Sequence, residues 1–569
     1  MSYEEEQDRL SRLMEECLNE DTENISAVEY DGSNDEGEVD ELEINDLNTD
    51  TEQETSDSED FNVIYGPTFT GKDGTEWAKH VPNQKVRTRA ENLIKHLPGV
   101  KGPAKELKSE IDIWKHFFPE KTLILIVRWT NQHIQSTREN YERERDAKYT
   151  DIVEIQALFG LLYFAGVLKS NRLNTEDLWN VNGTGVEIFR LTMSIQRFRF
   201  LLVHLRFDDS STRIERKNVD KLAPIRDVFE GFVNQCKSAY IPFEYVTIDE
   251  KLEGFRGKCS FRQYIPSKPN KYGIKIFAMA DAKTFYTCNM EVYVGKQPDG
   301  PFSQSNSPKD VVQRLCQPIK GTSRNVTTDN WFTSMDLLYT LYNDFKLTLL
   351  GTIRKNKREL PKEFVNSKGR PILSSMFGFR DKCTLVSFVP KRNKNVLLVS
   401  SMHSGDKIDK DTNKPEIIMD YNSTKSGVDS VDQLCASYNC ARNTRRWPMV
   451  IFYSILNVAG INSFIIYAMN NQVNVQRRKF LQRLSFQLVE THTRRRINQN
   501  IPRSMSQRIR EIFAIEAAET TPAANNQRGR CSFCDRKKNR PTRYSCVDCR
   551  TFICLEHCLF MCQECKSKY

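Results

Sequence analysis

Three segments with alternating apolar and polar residues follow one another in the middle of the chain: "FEYVTIDEKL" (243–252), "YGIKIFAMA" (272–280) and "FYTCNMEVYVG" (285–295). Period-two patterning predicts strands, and "DAKT" (281–284) predicts a tight turn between the second and third, hence an antiparallel meander. "PKDVVQRLCQPI" (308–319) then reads as a helix, "RNVTTDNWF" (324–332) as a strand ending at Asp329, "SMDLLYTLYNDF" (334–345) as a second helix and "KLTLLGTI" (346–353) as a last strand. This order constrains the fold more than any other feature, because helices that link parallel strands return the chain to neighbouring positions in one sheet.

A meander followed by helix, strand, helix and strand is the order of the ribonuclease H-like α/β fold, in which the ends of the first and fourth strands lie side by side. Asp249 lies on the first of these strands and Asp329 ends the fourth, so their carboxylates would face one point. "KSGVDSVDQL" (425–434) carries Asp429 and Asp432 at the start of a later helix, one turn apart on one face. Such a carboxylate cluster suits two magnesium ions, about 3.5–4 Å apart, for phosphoryl transfer. The competing reading of Asp429 is a helix cap, since Ser426-x-x-Asp429 has the form of a capping box. Asp281 reads as a turn residue, and no Ser or Cys nucleophile pairs with a histidine.

At 569 residues the chain is too long for a single hydrophobic core. Its net charge of +8 conceals a division: residues 1–60 hold 24 Asp and Glu against Arg9 and Arg12, and the remainder holds 81 basic against 51 acidic side chains. The acidic segment has the composition of a disordered tail, and the basic remainder points to nucleic acid as partner. No leader-like segment opens the sequence, so the 16 cysteines are expected as thiols or metal ligands. "MVIFYSILNVAGINSFIIYAM" (449–469) has the length of a membrane span but contains Asn457, Gly460 and Asn462, and is read as a buried core helix without membrane contact. "GPTFTGKD" (66–73) imitates a phosphate-binding loop, but Asp73 stands where that loop needs a hydroxyl, and nucleotide binding is rejected.

The C-terminus carries four ligand pairs: Cys531 and Cys534, Cys546 and Cys549, Cys554 and His557, Cys562 and Cys565. Four pairs make two closed tetrahedral zinc sites. Interleaved wiring puts Cys531, Cys534, Cys554 and His557 on one ion and Cys546, Cys549, Cys562 and Cys565 on the other, with Cys558 as an alternative to His557. RING and PHD fingers share this cross-braced logic, so a protein-interaction module is the competing reading; the flanking "RKKNR" (536–540) favours DNA and, with "TRRR" (493–496), offers nuclear-import candidates.

"IDEKLEGFRGKC", "KPNKYGIKIF", "TTDNWFTSMDL", "GTIRKNKRELP", "SGVDSVDQLC", "RRWPM" and "NVAGINSFIIY" occur in order and together resemble a piggyBac-type transposase. The resemblance runs from about Lys72 to the C-terminus. It implies DDD-type cut-and-paste DNA transposition with Asp249, Asp329 and Asp429 as the metal-binding triad and Asp432 as an accompanying acid. It further implies hairpin-ended excision, integration at TTAA targets, terminal inverted repeats read by the cysteine-rich domain, and a homodimer working in the nucleus. Arg354 and Lys357 match positions that touch target DNA, and Trp447 matches an aromatic near the active site, where stacking on a base competes with a core role. Arg445 and Arg446 are expected as phosphate contacts. A domesticated, catalytically silent DNA-binding relative is the alternative.

The expected organisation is therefore multidomain α/β. A disordered tail (1–65) precedes a mainly helical DNA-binding and dimerisation domain (66–243). The catalytic core (244–354) is followed by an insertion (355–415), the last part of the core (416–438) and the second helical part (439–515). A linker (516–530) leads to the zinc domain (531–569).

Overall fold

A computed structural model describes residues 43–44, 68–81, 94, 96–266, 268, 270–515, 528–538, 540–546, 549 and 551–559. The chain divides into two compact units, Met1–Arg495 and Arg496–Tyr569. Nearly all of the expected tail, most of the expected linker and the last cysteines lie outside the described residues.

The first unit is built on a 12-stranded mixed sheet. Its centre is β1 (Tyr245–Gly254), β2 (Tyr272–Asp281) and β3 (Thr287–Val292), an antiparallel meander in which β2 lies between the other two. The chain passes through α1 (Pro308–Cys316) to β4 (Asn325–Thr328), and through α2 (Met335–Asn343) to β5 (Thr348–Thr352). β4 pairs parallel with β1 on one side and with β5 on the other. Ser307 caps α1 and Ser334 caps α2, each accepting a backbone N–H three residues on, so both crossovers start where the sequence supplies a hydroxyl. Asp281 is fully buried at the β2 turn, where it accepts the N–H groups of Phe243 (2.7 Å), Lys283 (2.8 Å) and Thr284 (3.1 Å).

The segment expected as an insertion does not leave this sheet. β6 (Ser375–Arg380), β7 (Cys383–Lys391) and β8 (Lys394–Ser400) form an antiparallel meander, and β8 pairs with β5. Val386, Phe388 and Leu398 share one buried cluster with Leu350 of β5 and with Ile417 and Ile418 of the next helix. Beyond β6 come Glu76–Ala78 and Thr68–Thr70, so the segment expected as helical from residue 66 instead begins with a hairpin. The reason is Trp77: fully buried, it donates Nε1–H to the Glu359 carbonyl at 2.8 Å and ties the hairpin to the edge of the sheet. The described part of the phosphate-loop look-alike, residues 68–73, is the first strand of that hairpin and the start of its turn.

Helices from before and after the sheet pack as one layer. Trp114 of Glu110–Phe117 donates to Tyr163 of Ile152–Val167, and Tyr163 donates to the Leu456 carbonyl of a 25-residue helix, Trp447–Asn471. That long helix has the length and apolarity of a membrane span, and 94% of the qualifying stretch is buried inside the fold. Asn462, which interrupts its apolar run, exchanges two 3.0 Å hydrogen bonds with the Thr287 backbone of β3. Gly160 allows Arg477–Arg495 to approach closely, because a Cβ there would stand 2.7 Å from Val489 Cγ1 and 3.0 Å from the Ser485 carbonyl oxygen.

Candidate active site

The register between β1 and β4 decides where the first two acids stand. Val246, Thr247 and Ile248 face Val326, Thr327 and Thr328 in parallel pairing, and the next residue on each chain is an aspartate, Asp249 and Asp329. β4 stops there, so from Asp249 onward β1 has an open flank on that side. Asp329 Oδ1 accepts the backbone N–H groups of Trp331 (3.0 Å) and Phe332 (3.3 Å), which fixes the carboxylate at the strand end.

A third carboxylate that the strand pattern conceals joins them. Ligand oxygens of Asp249, Glu250 and Asp329 all lie within 4.8 Å of one another. Period-two alternation assigns neighbouring residues to opposite faces, and sequence reasoning therefore passed over Glu250. Burial raises the Asp249 pKa well above the ordinary carboxylate value, and the adjacent Glu250 and Asp329 charges push it further. Asp329 is raised to about 6, by burial first and by Glu250 second, against the pull of the two N–H groups and of Arg354. Three crowded hard-oxygen donors, with no thiolate or imidazole among them, fit a divalent metal of the magnesium class.

Two further helices, α3 (Glu416–Thr424) and α4 (Gly427–Ser437), bring the other acids. The carbonyl of Thr424 accepts the Thr247 hydroxyl, and its own hydroxyl lies 2.8 Å from that of Thr327, so the end of α3 sits on the β1–β4 pair. Only glycine fits at 427, because a Cβ would collide with the Thr247 side chain, whose Cβ would be 2.8 Å away. Ser426 makes no side-chain capping bond, so the capping-box reading of Ser426 and Asp429 is not what the helix start uses. The Asp429 side chain is 57% exposed and stands outside the close acid group, with its Oδ1 3.6 Å from Lys268 Nζ. Lys268 also donates to the Glu250 carbonyl at 3.1 Å and so bridges α4 and β1.

Asp432 is held differently. Its Oδ1 lies 3.2 Å from the ammonium of Lys251, which is 1% exposed and also 2.9 Å from Glu253 Oε1. Ser454 of the long helix donates to that same Glu253 oxygen at 2.6 Å. Burial opposes the Lys251 charge, yet Cys435, Glu253 and Asp432 around it hold its pKa well above the ordinary lysine value. Lys251 is thus the internal counter-ion that ties α4 to β1, and Asp432 faces it.

The family profile described as Transposase IS4 matches residues 109–464, which include all of these acids. The chain belongs to the piggyBac transposase family. It is similar to a piggyBac transposase solved in a synaptic complex with hairpin DNA, at 38% identity and a TM-score of 0.71, covering 83% of this chain and 100% of that one. It is also 20% identical over 419 residues to the human PiggyBac transposable element-derived protein 3, covering 68% of this chain and 66% of that protein. The same identity and length relate it to the human Chimeric ERCC6-PGBD3 protein, of which it spans 37%. Enzymes of this DDE class cleave DNA with divalent metals.

The residues that the piggyBac resemblance links to DNA lie in three settings. Arg354 and Lys357 line an open cleft of about 640 Å³ with Asn356, Arg358, Glu359 and Asp73, and the Arg354 charge acts on Asp329. Arg445 is exposed, whereas Arg446 donates to the carbonyls of Leu202, Val203 and Leu205 at the end of the helix Ile195–His204. Its guanidinium is therefore committed to backbone. Trp447 is 5% exposed and packs edge to face on Phe261 at 5.0 Å, which is the core role weighed against base stacking.

In the second unit, Cys531, Cys534, Cys554 and His557 present ligand atoms within 4.8 Å of one another. His557 Nδ1 lies 3.2, 3.5 and 3.8 Å from the sulfurs of Cys554, Cys534 and Cys531, and the Cys534 and Cys554 sulfurs are 3.6 Å apart. Three of those separations match the roughly 3.5–3.8 Å edges of a tetrahedron built on ~2.3 Å zinc–sulfur bonds, and only the Cys554–His557 pair is closer. Cys558 instead directs its sulfur to the Leu555 carbonyl, 3.5 Å away. Of the second predicted set, Cys546 and Cys549 are described, while Cys562 and Cys565 lie outside the described residues.

Proposed function

We propose that this chain is a magnesium-dependent, DDD-type cut-and-paste transposase, with Asp249, Asp329 and Asp429 as the metal-holding triad and Asp432 as its accompanying acid. The observation that carries the reading is the convergence of Asp249 and Asp329 one step beyond the last β1–β4 pair. Bound magnesium would supply Lewis-acid polarisation at the reacting phosphate. The chain's own part is to hold the acids: Trp331 and Phe332 aim Asp329, Thr247 and Gly427 seat α4, and Lys251 anchors Asp432. Lys268 keeps an ammonium between Asp429 and β1 where a cation belongs.

In the order that the family resemblance implies, water first nicks the element's end. The freed 3′-hydroxyl then attacks the opposite strand and closes a hairpin, water reopens it, and each exposed 3′-hydroxyl attacks a phosphate at a TTAA target and displaces the target strand's own 3′-oxygen. In this reading Arg354, Lys357 and Arg445 contact backbone phosphates. The working form in this reading is a nuclear homodimer on double-stranded DNA. Excision of a marked element from a plasmid in cells, leaving a restored TTAA, is the expected result; a chain that binds the ends but never excises would be the domesticated relative.

The second unit would carry structural zinc and read the terminal repeats. Cys534→Ser in the full chain should lose one zinc equivalent by elemental analysis, and Cys558→Ser should lose none. Equal losses from both variants would reassign the ligand set.

A further inference from the structure

We propose that Glu250 is an additional metal ligand of this site, an inference that rests on the transposase reading of Asp249 and Asp329. Glu250 is 7% exposed, and its Oε2 is buried without a hydrogen-bond partner among the described residues. A carboxylate serving only the fold would have that oxygen satisfied, because burying an unpaired charged oxygen costs free energy with no return. Its neighbours are instead two more carboxylates, within 4.8 Å. Lys268, the nearby ammonium, donates to the Glu250 backbone carbonyl.

The topology explains how a residue of the wrong strand parity arrives there. β4 ends opposite Ile248, so no strand covers that flank of β1 at Glu250. A glutamate has one methylene more than an aspartate and reaches the acids across the open edge. Asp429, by contrast, is more than half exposed and lies outside the group. Glu250 therefore completes the three-acid set that β1 and β4 present before α4 contributes.

The test is titration of the full-length protein with Mn²⁺ alone, without DNA, by calorimetry and by the electron paramagnetic resonance of free Mn²⁺. Glu250→Gln should weaken Mn²⁺ binding at least about tenfold. It should also raise the melting temperature in chelator, since one of three crowded carboxylates is neutralised while shape is kept. Glu250→Asp keeps the charge but withdraws the oxygens by one methylene, and should also bind Mn²⁺ more weakly. The proposal is overturned if Glu250→Gln unfolds or melts lower in chelator, or if Glu250→Asp binds as the unaltered chain does. If Asp249→Asn and Asp329→Asn also leave Mn²⁺ binding intact, the transposase reading of the acids itself fails, a separate outcome.

Discussion

Asp329→Asn is expected to reduce cleavage of an element-end DNA in magnesium by roughly 10³-fold or more, while the metal-free protein becomes more stable to heat. The two halves of this prediction share one cause. Asp329 is crowded by Glu250 and Asp249 in a partly buried site, and burial first, then the Glu250 charge, raises its pKa to about 6. Asparagine keeps a carbonyl oxygen for the Trp331 and Phe332 N–H groups, so the strand end retains its geometry. What it loses is the negative charge that attracts the metal. Gel analysis of nicking and hairpin formation reads the first effect, and calorimetry in chelator reads the second. Cleavage within tenfold of the unaltered chain would remove Asp329 from the triad.

Lys251→Met should destabilise the first unit by about 3–5 kcal/mol, because it strips the counter-ion from Glu253 and from Asp432. Methionine fills much of the same volume, so the loss measures charge pairing more than packing. Adding Asp432→Asn and Glu253→Gln to Lys251→Met should recover most of that stability, as neutral partners no longer need the ammonium. Urea unfolding of the single, double and triple variants gives the coupling energies directly. A loss below about 1 kcal/mol in the single variant would mean that the network is solvated. The expected coupling also separates the two aspartates of α4: Asp429 lies toward solvent and Lys268, and Asp432 is bound into the fold.

Much of the core was legible because its signals are local. Alternation marked β1, β2 and β3, the segments 308–319 and 334–345 read as helices and became α1 and α2, and the polar residues inside the apolar run marked Trp447–Asn471 as a core helix. The hairpin Thr68–Ala78 and the union of 375–400 with the core sheet were not legible. Each depends on partners far off in sequence, Trp77 on Glu359 and β8 on β5. Arg446 and Trp447 show the same limit: "RRWPM" offers Arg446 as a phosphate contact and leaves Trp447 between base stacking and a core role, and only the fold brings the carbonyls of residues 202–205 to the one and the ring of Phe261 to the other.

The sequence by itself determined the order of elements, the family and the chemistry on offer: carboxylates on a strand, at a strand end and at a helix start, and a cysteine-rich end with zinc spacing. The order of elements already turned Asp249 toward Asp329, and only the tertiary structure decided which other carboxylates meet them. Parallel pairing of strands far apart in the chain set Asp249 beside Asp329, the early end of β4 admitted Glu250, and buried Lys251 drew Asp432 to itself. Periodicity is a property of a few neighbouring residues. Convergence depends on register and on where a strand stops, and neither leaves a mark in the residues it brings together.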